Sequence, residues 1–263
     1  MRRALRLHKI FISQYLKKLM EYKIDFLIGA IGFFISQAVQ ILFIGILFSQ
    51  IPDLAGWSFD EIIFIYGFSL LPKAIDHLFF DNLWMVGYFI VRKGDFDKYL
   101  TRPINSLFYV TVELFQVDAF GELFMGIILV VYSIVKLWGQ IVWQRGIVLL
   151  ILIPFSVLIY LSVKVITAAI SFWTKQSGHI THMFYQTADF SKYPITIYNN
   201  FIKVIVTYII PFAFTAYYPA SYFLRGDNAL FCILGTILIS LALFGISLFV
   251  WNKGVKAYES AGS

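Results

Sequence analysis

The sequence predicts an all-α polytopic membrane protein. It has six transmembrane helices, an amphipathic helix lying in the interface ahead of them, and a short helix outside the membrane between spans 2 and 3. Three observations predict this. Of 263 residues, 60% are hydrophobic and 14% charged, where soluble domains run at roughly 45–50% and 25%, and the mean hydropathy is +0.79. The apolar residues collect into six runs, each as long as the ~20 residues that cross a bilayer. The lysines and arginines collect beside alternate connections, which is how orientation is written into a membrane chain.

In chain order, residues 1–23 come first. Arg2, Arg6, Lys9, Ser13 and Lys17 share one helical face, and Leu5, Ile12, Tyr15, Leu16 and Leu19 share the other, the pattern of a helix lying in the interface. The run that follows is too long for a signal sequence and has no cleavage site, so the N-terminus is expected to stay attached. The spans are expected at 24–48, 61–91, 107–137, 146–173, 197–218 and 228–251, a single membrane domain over 24–251, with a tail at 252–263. Pro72 and Pro211 fall inside two of the runs, where proline kinks or breaks a helix.

Sixteen lysines and arginines fall on one side of this topology. They are the seven through Lys23, then Arg92, Lys93, Lys98, Arg102, Lys175, Lys192, Lys203, Lys253 and Lys256; only Lys136, Arg145 and Arg225 fall on the other. Both termini are therefore expected in the cytoplasm. The net charge of +6 is spent on orientation and anionic lipid, with no nucleic acid implied. Cys232, the single cysteine, cannot form an internal disulfide and reads as a small buried side chain.

No enzyme is legible. The chain has no phosphate-binding G-x-x-x-x-G-K-[ST] loop and no H-E-x-x-H. His179 and His182 lack a third ligand, so no metal is expected, and no nucleophile–base arrangement stands out. Ionisable residues at bilayer depth are costly and face protein or water. Lys73, Asp76, His77 and Asp81 lie on one face of the second run and can line a translocation path or tie helices together. A lone Lys164 in the fourth run is expected to snorkel to the cytoplasmic side.

Between the second and third runs stands GDFDKYLTRPIN, residues 94–105. Gly94 breaks the preceding helix, Asp95 can cap a short helix over 96–101, and Pro103 stops it. Phe96, Tyr99 and Leu100, rimmed by Asp97, Lys98 and Arg102, make a peg for a groove in a partner protein.

This stretch resembles a motif of the bacterial ABC-2-type transporter permeases. So do DFSKYPITIY (189–198), IIPFAFTAYYPA (209–220) and the tail WNKGVKAYESAG (251–262), and the matches come in order along the chain. The resemblance implies a six-span subunit in the bacterial cytoplasmic membrane. It implies a second permease subunit, identical or a sister chain, and two copies of an ATP-binding subunit that carry ATP and Mg, none of it bound here. Gly94, Asp95, Phe96, Asp97, Tyr99, Leu100, Arg102 and Pro103 would form the coupling helix. Pro211 and Pro219 would break the fifth span near its outer end. The cargo implied is drug-like, cationic or lipid-like. An ion-gradient-driven carrier or channel using the Lys73–Asp81 face is the alternative, and a membrane-embedded lipid enzyme is a distant third.

Overall fold

In lipid every backbone N–H must find its partner within the protein, so apolar runs become helices. The computed structural model describes residues 23–260, and its described residues are helices and connections with no strand. Five helices are long and apolar enough to cross a membrane: α1 (Lys23–Gln50), α2 (Phe59–Phe80), α6 (Ala119–Lys136), α7 (Gln144–Ala169) and α12 (Ala229–Ala257). Between them stand α3 (Asn82–Met85), α4 (Asp97–Leu100), α5 (Ser106–Glu113), α8 (Ser171–Thr174), α9 (Gly178–Gln186), α10 (Asn200–Val204) and α11 (Tyr217–Arg225). The interfacial helix expected in the first residues lies outside the described part.

The end of the bundle that carries α4 is called the peg end here. At the far end, Ser58 and Glu61 form a capping box that starts α2. Arg225 closes the same corner. It lies 3.6 Å over the Trp57 ring and donates to Glu61 at 2.7 and 2.8 Å. From there α2 runs to the peg end and α6 runs back along it. Their contact is a glycine seam: a Cβ on Gly67 would stand 2.6 Å from that of Leu129, and one on Gly126 3.0 Å from the Gly67 carbonyl. Lipid gives helices no hydrophobic reason to associate, so small residues that let backbones approach carry the packing. A second pair, α7 and α12, runs parallel beside it and meets at Gly254, where a Cβ would stand 3.3 Å from the Ala169 carbonyl.

Two expected spans take a different form. The run 107–137 is not one helix. It stops at Glu113, passes through extended Leu114 and restarts at Ala119. Glu113 turns aside to meet Lys98 and Tyr99, and the Gln116 N–H bonds to the Leu78 carbonyl of α2 instead of a helical partner. The run 197–218 is broken as well. From the peg end, where the Ser177 N–H bonds to the Gly87 carbonyl at 2.8 Å, the chain climbs through α9 and a 3₁₀ turn, Thr187–Lys192. Then α10 and its π-helical extension, Ile205–Ile209, dip back into the bundle. The chain leaves helix at Ile210 and Pro211, runs through Phe212–Thr215, and returns to the far end as α11 with Pro219 in its first turn.

This moves Lys192 and Lys203 out of the peg-end connection where the sequence tally had put them. Lys192 stands 6.0 Å from the ring of Tyr66, only about 10 Å along α2 from its far end at 1.5 Å per residue.

Candidate functional site

Two places bring functional groups together: the peg, and a polar seam along α2. The peg begins at Gly94, whose φ of +79° is the left-handed conformation that glycine adopts without strain. The helix that follows, Asp97–Leu100, is two residues shorter than the expected 96–101, and Asp95 does not cap it. Phe96 holds the cap position in a helical conformation with no side-chain cap bond, and Asp95 points to solvent.

The peg's two aromatic rings also turn the opposite way from the expectation. Phe96 and Tyr99 are 0% and 1% exposed, while Leu100 is 45% exposed. Phe96 sits in an aromatic box, 4.7 Å from Phe172, 5.9 Å from Trp251 and 5.2 Å from Tyr258. The Tyr99 hydroxyl donates to Glu113, which also takes Lys98 at 2.9 Å. Burial, then that carboxylate, holds the Tyr99 hydroxyl well above its ordinary value, so it stays a donor. Burial and the nearby Asp97 carboxylate push Tyr258 up to about 12. What the peg offers a partner is therefore Leu100 and Pro103 among Asp95, Lys98, Thr101 and Arg102, with Arg92 and Lys93 beside them. Asp97 is turned to the tail, where the Ser260 hydroxyl donates to it at 2.6 Å.

The second place gathers Lys73, Asp76 and His77 of α2, and Asp81 at its end, with Glu122 of α6, Lys164 of α7 and Tyr185 of α9. Lys164 does not snorkel. It is 0% exposed and lies 2.6 Å from Asp76 and 2.9 Å from Asp81, with Tyr185 and Trp84 around it. Two carboxylates at bilayer depth attract the ammonium more strongly than water does from beyond the bundle. Asp76, also 0% exposed, takes the Tyr185 hydroxyl as well, and its Oδ1 has no hydrogen-bond partner.

Asp76, His77 and Asp81 come close enough to share a cation, but the Lys164 ammonium holds the place between the two carboxylates. Lys73 and His77 join a separate cluster, 3.7 and 2.8 Å from Glu122 of α6. The sequence reading passed over Glu122, although a carboxylate three residues into an apolar helix was the available signal. Further toward the far end, Gln37 and Gln40 of α1 both bond the Tyr66 hydroxyl. Polar groups thus follow α2 from Tyr66 to Asp81, about 22 Å. His179 and His182 each lie edge-on to an aromatic ring, Tyr88 and Trp84, and join no such cluster.

The chain matches the family described as ABC-2 family transporter protein over residues 34–262, and it belongs to that family. It is thus a membrane permease of an ABC transporter, a transport subunit working with ATP-binding partners. No curated protein and no solved structure shows significant similarity to it.

Proposed function

We propose, with membership of the ABC-2 family as the premise, that this chain carries cargo out of the cell in steps driven by ATP hydrolysed on two separate subunits, and that α4 is where they push. The observation that carries this is the peg's construction. Phe96 and Tyr99 are locked inward, so that Leu100 and a mostly basic rim are held out rigidly rather than on a floppy loop. A rigid peg transmits displacement, and ATP-driven closure of the partners can then bias the bundle between two arrangements. The partner surface that fits is an apolar notch edged by carboxylates.

The path we assign runs between two permease subunits, identical or sister chains, along Lys73, His77, Asp81 and Glu122. Asp76 and Lys164 hold α2 to α7 behind it. An apolar groove of about 280 Å³ lined by Ile75, Phe79, Pro154 and Leu158 lies on the same stretch of α2. The groove lies on the opposite face of α2 from Lys73 and His77, so the balanced charge of the path is what supports an amphiphilic cargo, drug-like or lipid-like, over a simple ion. Leu100→Ala with Arg102→Ala tests the peg. The variant is expected to fold and insert normally and to lose at least ten-fold in transport. Full transport by that variant removes the coupling assignment.

The buried ionised cluster also suits a gradient-driven carrier. Transport that persists under ATP depletion with the ion gradients held would favour that reading, and transport that stops would exclude it.

A further inference from the structure

The tail motif, residues 251–262, is explained by neither the span it ends nor the path. Its residues converge on the peg. Trp251 and Tyr258 form two walls of the box around Phe96, and Phe172 of α8 forms the third, 5.2 Å from Trp251 and 6.0 Å from Tyr258. Gly254 lets α12 settle onto α8, since a Cβ there would stand 2.5 Å from the Phe172 ring. Past the helix end at Ala257, the Tyr258 hydroxyl donates to the Gly94 carbonyl at 3.2 Å and the Ser260 hydroxyl to Asp97 at 2.6 Å. The Trp251 indole N–H donates to the Ser106 hydroxyl at 3.2 Å, on the other side of the peg. The end of α12 therefore grips the loop at its entry, in its helix and at its exit.

We propose that residues Trp251–Ser260 are a strap that makes the peg one rigid body with α12, so that a push on α4 moves the α7–α12 pair as well as α2. Gly94 joins the peg to α2 through a residue free to rotate. Held there alone, a loaded peg would swing about Gly94 and deliver little displacement. The strap closes that hinge, with its hydrogen bonds made to the hinge carbonyl itself and to Asp97, one turn on. Trp251, Tyr258 and Ser260 are positioning residues and bond to Ser106, Gly94 and Asp97, none of them one of the exposed residues offered to a partner. The mechanical role rests on the reading of α4 as the site of push; the clasp itself does not.

The experiment separates the two. A spin label at Leu100→Cys, in a Cys232→Ser background, reports peg motion in the purified full-length chain. Tyr258→Ala with Ser260→Ala should free the label, giving a several-fold faster component. Tyr258→Phe, which keeps the ring in the box, should free it less. An unchanged spectrum in the double variant overturns the strap. In the assembled transporter, the double variant should still bind the ATP-binding subunits and hydrolyse ATP, with cargo moved per ATP down at least ten-fold. An unchanged ratio of transport to hydrolysis refutes the mechanical role. A freed label in a chain whose wild type binds no ATP-binding subunit would uphold the clasp and defeat the proposed function instead.

Discussion

Lys164 is the residue on which the interior of the bundle turns. Its ammonium faces Asp76 and Asp81 of another helix at 2.6 and 2.9 Å, with no exposure to solvent for itself or Asp76. Removing one partner from a buried pair strands the other charge and costs about 3–5 kcal/mol. Lys164→Met is therefore expected to lower the melting temperature of the purified protein by many degrees. Adding Asp76→Asn should recover part of the loss, because one stranded carboxylate is then neutral. A melting curve for Lys164→Met that overlays wild type would show that the pair does not hold the helices. The peg offers the complementary contrast. Phe96→Ala empties a closed aromatic box and should destabilise by about 3–5 kcal/mol. Leu100→Ala, at an exposed site, should stay within about 0.5 kcal/mol. Thermal melts of the two variants side by side check which side chain of the peg is anchor and which is contact; equal losses would contradict the inward turn of Phe96.

Between elements, the closest approach of one backbone to another at a described glycine is the seam of α2 and α6. A methyl at Gly67 meets the Leu129 Cβ at 2.6 Å and the Val130 N at 3.0 Å, atoms fixed to the partner backbone that cannot swing aside. Gly67→Ala should force the helices apart, at the about 1–3 kcal/mol typical of overpacking. Gly45→Ala in α1, with nothing within 4 Å, should be neutral or slightly stabilising. Melting the two variants under one detergent condition decides it, and a Gly67→Ala protein as stable as Gly45→Ala would refute the close seam. The hydropathy pattern placed the long helices α1, α7 and α12 within a few residues, because lipid allows little else for ~20 apolar residues, but it carried 61–91 past the end of α2 at Phe80. It misjudged 107–137 and 197–218, because an apolar count does not register where backbone hydrogen bonds leave the helix. Glu113 and Pro211 mark those places only once their partners are known. Of the seam, the α2 residues were legible from their spacing. Lys164, Glu122, Tyr185 and Gln37 were not, because their partners on α2 lie 29 to 109 residues away in sequence.

At the scale of the whole molecule, the question is parity. Five unbroken crossings alone would put the two ends of the chain on opposite sides. The geometry places them together. α1 ends at the far end, so Lys23 begins at the peg end, and Tyr258 lies against Gly94 at that same end. Between α8 and α12 the chain returns from the peg end to the far end by a broken path: α9 and its 3₁₀ turn cover one part, and the dip through Phe212 and return by α11 complete it. With Lys192 and Lys203 removed, fourteen basic residues remain on the peg side of the topology read from the sequence against at most five on the other, leaving aside Lys73 and the buried Lys164 within the bundle. That asymmetry supports our proposal that the peg is cytoplasmic. In a Cys232→Ser background, an impermeant thiol reagent applied to intact cells should label Gln140→Cys, in the far-end connection. It should reach Thr101→Cys and Glu259→Cys only after the membrane is opened, and an epitope fused ahead of Met1 should behave as they do. Labelling of Thr101→Cys from outside would invert the orientation and take the peg away from any cytoplasmic ATP-binding subunit. Glu259→Cys labelled from outside, with the N-terminal epitope and Thr101→Cys both protected, would mean that the broken segment between α9 and α11 does not cross.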